Sequence, residues 1–379
     1  MKAGAYEYVP IERVRWGEPT TNAVMNEAER LGARRIFIVA SKTLARKTGV
    51  IEGMRTALGP RDAGLFDECR EHTPLDSVIA CADAVRAAKP DLILTVGGGT
   101  PIDTIKIVQL CLTHDIRNVE ALLSLAGKTT SIPSLVRQII VPTTLSGGEY
   151  SSFAGGTDLA RKTKDMYHGP DLCGRVVILD PAIALHTPEW LWLSTAIRAL
   201  DHAVEGYCAT GTNALVRATA IHAMKLFSTS LRRTKANPED LEARQNSQMA
   251  TWLAATSLGR VAMGASHGIG YLLGTMYGVP HGYTSCVMLP AVLRWNEPMT
   301  GALQKDIATA LGMPNASASE AVTALLEALG LPRRLGDVSV AADQIPAIAA
   351  RAATHPVVRA NPRPVRHASD AAEILALAL

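Results

Sequence analysis

Thr95-Val-Gly-Gly-Gly-Thr-Pro-Ile-Asp-Thr104 carries the chain out of an apolar β-type run, Asp91-Leu-Ile-Leu-Thr-Val96, and into a helix-like stretch over 101–113. Three consecutive glycines, Gly97, Gly98 and Gly99, remove every side chain from the turn. Backbone N–H groups can then approach a phosphate, and the helix N-terminus behind them adds a positive dipole. A glycine run can equally be a tight strand-to-helix turn; the strand before it and Pro101 at the helix start favour the phosphate reading. A second loop, Val141-Pro-Thr-Thr-Leu-Ser-Gly-Gly-Glu149, also follows a strand-like run, and its hydroxyls can bond phosphate or ribose. Alone it would be a Ser/Thr-rich turn.

Outward from these loops, β-rich runs at 35–40, 91–96, 138–141 and 175–179 alternate with helix-like stretches around 43–58, 76–88 and 101–113. That alternation predicts a parallel sheet flanked by helices. Near residue 185 the chain changes character. Ala- and Leu-rich segments with helical spacing follow at 194–209, 213–233, 239–262, 265–276, 300–312, 317–329 and 340–354, with almost no strand signal. The expectation is an α/β plus all-α chain: a parallel-sheet domain over 1–184 and a helical bundle over 185–379. A small-molecule site is expected in the cleft between them.

The length of 379 residues, with 47% hydrophobic and 19% charged residues, suffices for two packed cores. A net charge of +3 with scattered basic residues gives no nucleic-acid footprint. No apolar run is long enough to span a bilayer, and the N-terminal residues lack the apolar segment of a signal peptide, so a cytoplasmic, membrane-free protein is expected. The six cysteines are far apart and without a Cys-x-x-Cys pair, which predicts neither a disulfide framework nor a thiolate metal site.

Taken in order, Gly97-Gly-Gly-Thr-Pro-Ile-Asp103, Pro142-Thr-Thr-Leu-Ser-Gly-Gly-Glu149, Ile178-Leu-Asp-Pro181, Leu200-Asp-His-Ala-Val-Glu-Gly206, Val279-Pro-His-Gly282 and Met288-Leu-Pro-Ala-Val-Leu-Arg-Trp-Asn296 span most of the chain. Together they resemble the iron-containing alcohol dehydrogenase superfamily, and the resemblance implies its dehydroquinate synthase-like fold, with a Rossmann-like dinucleotide-binding domain over 1–184 and a helical substrate and catalytic domain over 185–379. Within that superfamily the chain is most similar to the maleylacetate reductase branch, through Pro142–Glu149, Arg161-Lys-Thr163 and Asn361-Pro-Arg-Pro-Val365. The segments Gly-Ala-Ser-His-Gly-Ile-Gly-Tyr271 and Pro-His-Gly-Tyr-Thr-Ser-Cys286 depart from the His-rich versions of that branch.

The resemblance implies an NADH- or NADPH-dependent oxidoreductase, a homodimer acting on a small molecule, with a place in aromatic-compound breakdown. It implies that Gly97, Gly98, Gly99 and Thr100 hold the cofactor pyrophosphate, and that Asp103, Thr143, Thr144, Ser146 and Lys162 line the cofactor cleft. Where family members often carry an Asp against the adenosine ribose, this chain has Ser41, with Lys42 and Arg46 nearby. Losing the anion beside cations favours tolerance of NADP; Lys42 and Arg46 can equally be a solvated helix face.

For the metal, the family pattern is an Asp, a His four residues later and two further His spaced by 14. This chain supplies His202, His267 and His281 but has Arg198 in place of the Asp, and Tyr271 where many members have another His. Residues four apart share a helix face, so Arg198 and His202 are expected to point into one pocket and Asp201 about 100° away. A guanidinium there repels a dication, so no metal is expected, with His202, His267 and His281 the ligands should one bind. Arg198 would then hold a substrate carboxylate or polarise a carbonyl, and His202, His267, His281 or Tyr271 would deliver the proton. The bland readings are core histidines and an Arg198 ion pair with Asp201 or Glu205. Three functions stay open: a metal-independent reductase of an oxo-dicarboxylate such as maleylacetate, a metal-dependent alcohol or aldehyde dehydrogenase, and an inactive nucleotide-binding protein.

Overall fold

The structure is a computed structural model and describes residues 4–161 and 163–379. It divides into two compact units, Met1–Thr187 and Pro188–Leu379.

In the first unit, strands β1 (Arg13–Trp16), β2 (Ile36–Ala40), β3 (Asp62–Phe66), β4 (Leu92–Gly97), β5 (Gln138–Pro142) and β8 (Val176–Leu179) form one sheet in the order β1-β8-β5-β4-β2-β3. Every neighbouring pair is parallel. The four central strands are buried along their whole length, whereas the edge strands β1 and β3 are not. Such burial is why the central runs read as continuous apolar segments: a parallel sheet is covered on both faces. Side chains alternate between two cores. Ile36, Ile38 and Ala40 join Leu94, Val96 and Val141 on one face, while Phe37, Val39 and Ile93 pack with Val78, Ile105 and Val108 on the other.

The covering helices are α1 (Thr20–Arg30), α2 (Lys42–Lys47), α3 (Val50–Leu58), α4 (Leu75–Ala88), α5 (Gly99–Thr113), and the short α6 (Val119–Leu123) and α7 (Pro181–Ala184). The stretch expected as one helix over 43–58 is two, because Thr48 adopts an extended backbone between α2 and α3. An antiparallel hairpin, β6 (Phe153–Asp158) and β7 (Thr163–His168), is an addition that the sequence reading lacked. From β2 the chain moves outward to β3, and from β4 it moves the opposite way to β5. β2 and β4 are neighbours, with Ala40 in register with Val96. Their carboxyl ends are therefore the point where the winding reverses, and loops that diverge there leave a crevice.

The second unit is helical: α8 (Glu189–Cys208), α9 (Ala214–Ala236), α10 (Leu241–Ala254), α11 (Ala265–Tyr277), α12 (His281–Ala310), α13 (Ala318–Leu329), α14 (Ile345–Ala352), α15 (Pro356–Arg359) and α16 (Ala368–Ala376). α8 is buried from Arg198 through Cys208 without a break, so it is the central helix and any polar group on it is an interior group. Gly282 lets α12 approach α8, since a Cβ there would stand 2.6 Å from the Ser194 backbone. The expected helix over 300–312 is the end of α12, which runs on through Pro290 and Pro298. An interior proline costs about 3 kcal/mol. Burial of Val287, Met288, Ala291, Val292 and Trp295 in the unit's core offsets it.

Candidate functional site

The winding reversal puts Ser41, which precedes α2, beside the glycine loop: a Cβ on Gly97 would lie 3.4 Å from Ser41 Cβ. Gly97 has φ +157 and a Cβ there would also strike Pro101 at 2.6 Å. Gly98 caps α5 without any side-chain hydrogen bond, leaving the first N–H groups of α5 for another acceptor. Thr144 and Ser146 face this loop. A Cβ on Gly98 would meet Thr144 Cγ2 at 2.8 Å, and one on Gly99 would meet Ser146 Oγ at 3.5 Å. The hydroxyls of Thr144 and Ser146 are 3.4 Å apart. Thr143 ties the two loops together by donating its backbone N–H to the Gly97 carbonyl at 2.9 Å. Bare N–H groups at a helix start, hydroxyls opposite and no room for a Cβ at Gly97 or Gly98 fit a dinucleotide pyrophosphate.

Thr100 lies in the first turn of α5. Asp103, one turn on, pairs with Lys106 at 3.4 Å, and the fully buried Lys106 donates to the Gly148 carbonyl, Ser151 Oγ and the Phe153 carbonyl. Lys106 thus pins the Ser/Thr loop to the glycine-loop helix. Beside it the Glu149 carboxyl is pushed up to about 7 by burial. Lys162 lies outside the described residues.

The charge reading around Ser41 needs correction. Lys42 pairs with Glu68 at 3.2 Å, and Arg46 pairs with Asp67 at 2.5 Å and with Glu68. Asp67 and Glu68 follow β3, next to β2 in the sheet but 21 and 22 residues from Arg46 in the chain, so local sequence showed cations without their counter-charges.

In the second unit α8 and α11 bring the titratable groups together. His202 Nδ1 lies 2.7 Å from His267 Nε2, and His267 Nδ1 lies 2.7 Å from Glu205 Oε2. Arg198 is buried, donates to Ser285 Oγ at 3.0 Å, and holds its guanidinium over the Tyr271 ring at 5.3 Å. Asp201 does not point away, as the helical-wheel argument expected. Its Oδ2 accepts from Ser266 and Ser285, both at 2.7 Å, and stands 3.8 Å from Arg198 and 3.5 Å from His267. Because α8 is enclosed on all sides, a residue 100° from His202 still faces a helix, here α11 and α12. His281 stacks on Tyr271 with ring centres 5.6 Å apart.

Burial pushes the Asp201 and Glu205 carboxyls up, against the lowering effect of neighbouring N–H groups and Arg198. It pushes His267 down to about 3, and Arg198 adds to that shift. His267 is therefore neutral. Among the described residues Asp201, Glu205 and His267 offer ligand atoms within 4.8 Å of one another, a different trio from the three histidines expected. Both Glu205 oxygens already accept backbone N–H groups and Asp201 Oδ2 accepts two hydroxyls, while the buried Asp201 Oδ1 has no hydrogen-bond partner among the described residues. Asp201, Glu205, Ser266 and Ser285 were missed as site residues. The available signal was Asp201 and Glu205 flanking His202 on an otherwise apolar helix.

The N-terminal iron-containing alcohol dehydrogenase model matches residues 12–181, and the C-terminal model of that family matches 192–379. The chain belongs to the iron-containing alcohol dehydrogenase family and is an NAD(P)-dependent oxidoreductase. It is 33% identical to a dehydrogenase, ALT3, of Alternaria alternata, over 87% of this chain and 95% of that protein. It is 26% identical to a maleylacetate reductase of Rhizobium sp. (strain MTP-10005), over 96% of this chain and 95% of the relative. The crystal structure of maleylacetate reductase from Agrobacterium tumefaciens superposes with TM-score 0.86 at 26% identity, covering 100% of this chain and 99% of that one. Among the described residues no helix is long and apolar enough to cross a membrane.

Proposed function

We propose that the chain is a metal-independent NAD(P)H reductase of a small oxo-dicarboxylate, of the maleylacetate reductase type, saturating a C=C bond conjugated to a ketone to give 3-oxoadipate. The observation that carries this reading is Arg198, buried on α8 one turn before His202 and making, among the described residues, a single protein hydrogen bond, to Ser285, for its five N–H donors. The reduced nicotinamide, when bound, supplies the hydride. As hydride adds to the electron-poor carbon, negative charge grows on the conjugated oxygen, and preorganised donors aimed at that oxygen lower the barrier. Arg198 supplies such donors. Asp201 at 3.8 Å offsets part of its charge, so Arg198 acts here through directional N–H groups more than as a bare cation. Tyr271 supports the guanidinium plane, and the His202–His267 pair is the nearest proton source. The proposed assembly is a homodimer.

The occupied carboxylate oxygens speak against a divalent cation. Binding one on Asp201, Glu205 and His267 would displace N–H and O–H groups that now satisfy buried carboxylates. It would also place a dication beside a permanent guanidinium, a repulsion of several kcal/mol at about 5 Å with an effective dielectric of about 20. A second reading, a metal-dependent alcohol or aldehyde dehydrogenase, draws support from the same trio and the unpartnered Asp201 Oδ1. One experiment separates them: metal analysis of purified protein coupled to an NAD(P)H-oxidation screen over maleylacetate and short aldehydes. Near-stoichiometric metal with activity lost to a chelator and restored by the metal would overturn the metal-independent reading.

A further inference from the structure

α15 meets α11 at a residue without a side chain. A Cβ on Gly268 would stand 2.8 Å from the Val358 backbone nitrogen, so glycine is what lets the two helices come this close. Tyr271, three residues on, shares that face of α11. The ring at the start of α15, that of the half-buried His355, therefore lies against the Tyr271 ring, with centres 6.1 Å apart. The Arg198 guanidinium stands 5.3 Å from the centre of the same tyrosine ring. One ring thus ties a buried cation on α8 to an imidazole near the end of the chain.

His355 precedes Pro356, and its Nδ1 accepts the Val357 N–H at 3.3 Å. An imidazole nitrogen that accepts is bare, so the neutral ring carries its proton on Nε2. Burial pushes the His355 pKa down and so favours that neutral form, and among the described residues no neighbouring charge contributes. Nε2 has no protein partner among the described residues, which leaves an N–H donor open to a bound molecule. An oxo-dicarboxylate with its carbonyl oxygen on Arg198 carries a carboxylate two carbons beyond that carbonyl. We propose that His355 is the specificity residue for this second carboxylate: its Nε2–H donates to a carboxylate oxygen, and Tyr271 spaces this donor from Arg198. The identity of the substrate rests on the reductase reading. A bond made equally in the bound substrate and in the transition state strengthens binding and leaves the chemical step unchanged, so His355 selects dicarboxylates while Arg198 acts on the reacting oxygen.

The test uses the full-length protein and separates the two ring nitrogens. Asparagine places its side-chain oxygen near Nδ1 and glutamine its amide N–H group near Nε2, so His355→Asn keeps the cap of α15 and His355→Gln keeps the donor. In His355→Asn the Michaelis constant for maleylacetate should rise at least tenfold, with turnover and the Michaelis constant for NADH within about twofold of the parent. His355→Gln should stay within about threefold throughout. With 4-oxopent-2-enoate, which lacks the second carboxylate, all three proteins should agree. Calorimetric binding of adipate, which needs no turnover, should weaken in His355→Asn and persist in His355→Gln. A loss in His355→Gln with none in His355→Asn would make the ring a helix cap only, and equal losses for the two enoates would place the second carboxylate elsewhere; either overturns the proposal. Maleylacetate reduced with an unchanged Michaelis constant in His355→Asn would overturn it and leave the reductase reading standing. Adipate binding that depends on His355 in a protein that reduces no oxo-acid would instead retain the carboxylate subsite and reject the reductase reading.

Discussion

Arg198 and Asp201, three residues apart on α8, lie 3.8 Å from each other inside the helical unit, and Ser285 of α12 bridges them by donating to the carboxylate and accepting from the guanidinium. The buried Arg198 cation thus comes with a neighbouring anion and does not stand alone.

Removing one member should therefore cost more than removing both. Arg198→Leu leaves Asp201 buried without its counter-charge, a loss of about 3–5 kcal/mol by analogy with broken buried pairs. Adding Asp201→Asn should return most of it. Denaturant unfolding of the two variants and the parent checks this; an Arg198→Leu variant no less stable than the double variant would show that the pair is not coupled.

Gly98→Val should abolish NADH binding while the fold is kept. Its Cβ would enter the space of Thr144, 2.8 Å from Cγ2, and stand where phosphate oxygens approach the N–H groups of α5. Gly53→Ala, at a position with nothing within 4 Å, is the control. Fluorescence titration with NADH reads both, and unchanged affinity in Gly98→Val would remove the cofactor from this loop.

Nucleotide choice should respond to the acids after β3. Freeing Arg46 by Asp67→Asn with Glu68→Gln should raise kcat/KM for NADPH by about two- to fivefold, the scale of an exposed ion pair, and leave the NADH value unchanged. Ser41→Asp should act in the opposite sense. Equal changes for both nucleotides would place the adenosine ribose away from Ser41.

Glu149 predicts a pH dependence of stability. Its carboxyl is raised by burial from 4.5 to about 7, so the folded chain binds the proton more tightly than the unfolded chain does. The resulting stability is fully present below about pH 4.5 and is lost as pH rises through about 7, a change on the order of 3 kcal/mol. Glu149→Gln should flatten that slope. Unfolding midpoints at pH 5 and pH 8 for both proteins give the answer, and parallel slopes would contradict it.

The glycine loop and the runs at 36–40, 92–97 and 138–142 were legible because a parallel strand's burial and a turn's steric demand are written in consecutive residues. Edge strands β1 and β3 and the hairpin β6–β7 were not: β1, β3 and β7 are only partly buried, and the mostly buried β6 reads Phe-Ala-Gly-Gly-Thr-Asp, so none shows a continuous apolar run. Helix boundaries failed where burial overrode local signals, as at the buried Pro290 inside α12.

By itself the sequence determined the two-part architecture, the place of the glycine loop between a strand and a helix, and an arginine one helical turn before His202. These depend on residue type and short spacing. Only the tertiary structure decided which charges meet. Asp67 and Glu68 reach Arg46 because β3 pairs with β2; Asp201 turns inward because α8 is enclosed on every side; and Glu205 reaches both His267 and the N–H groups of α11 because the two helices pack together. Charge pairing depends on distance in space, and none of these partners is near in the chain except Arg198 and Asp201, which are three apart on α8 and whose pairing the sequence therefore already offered.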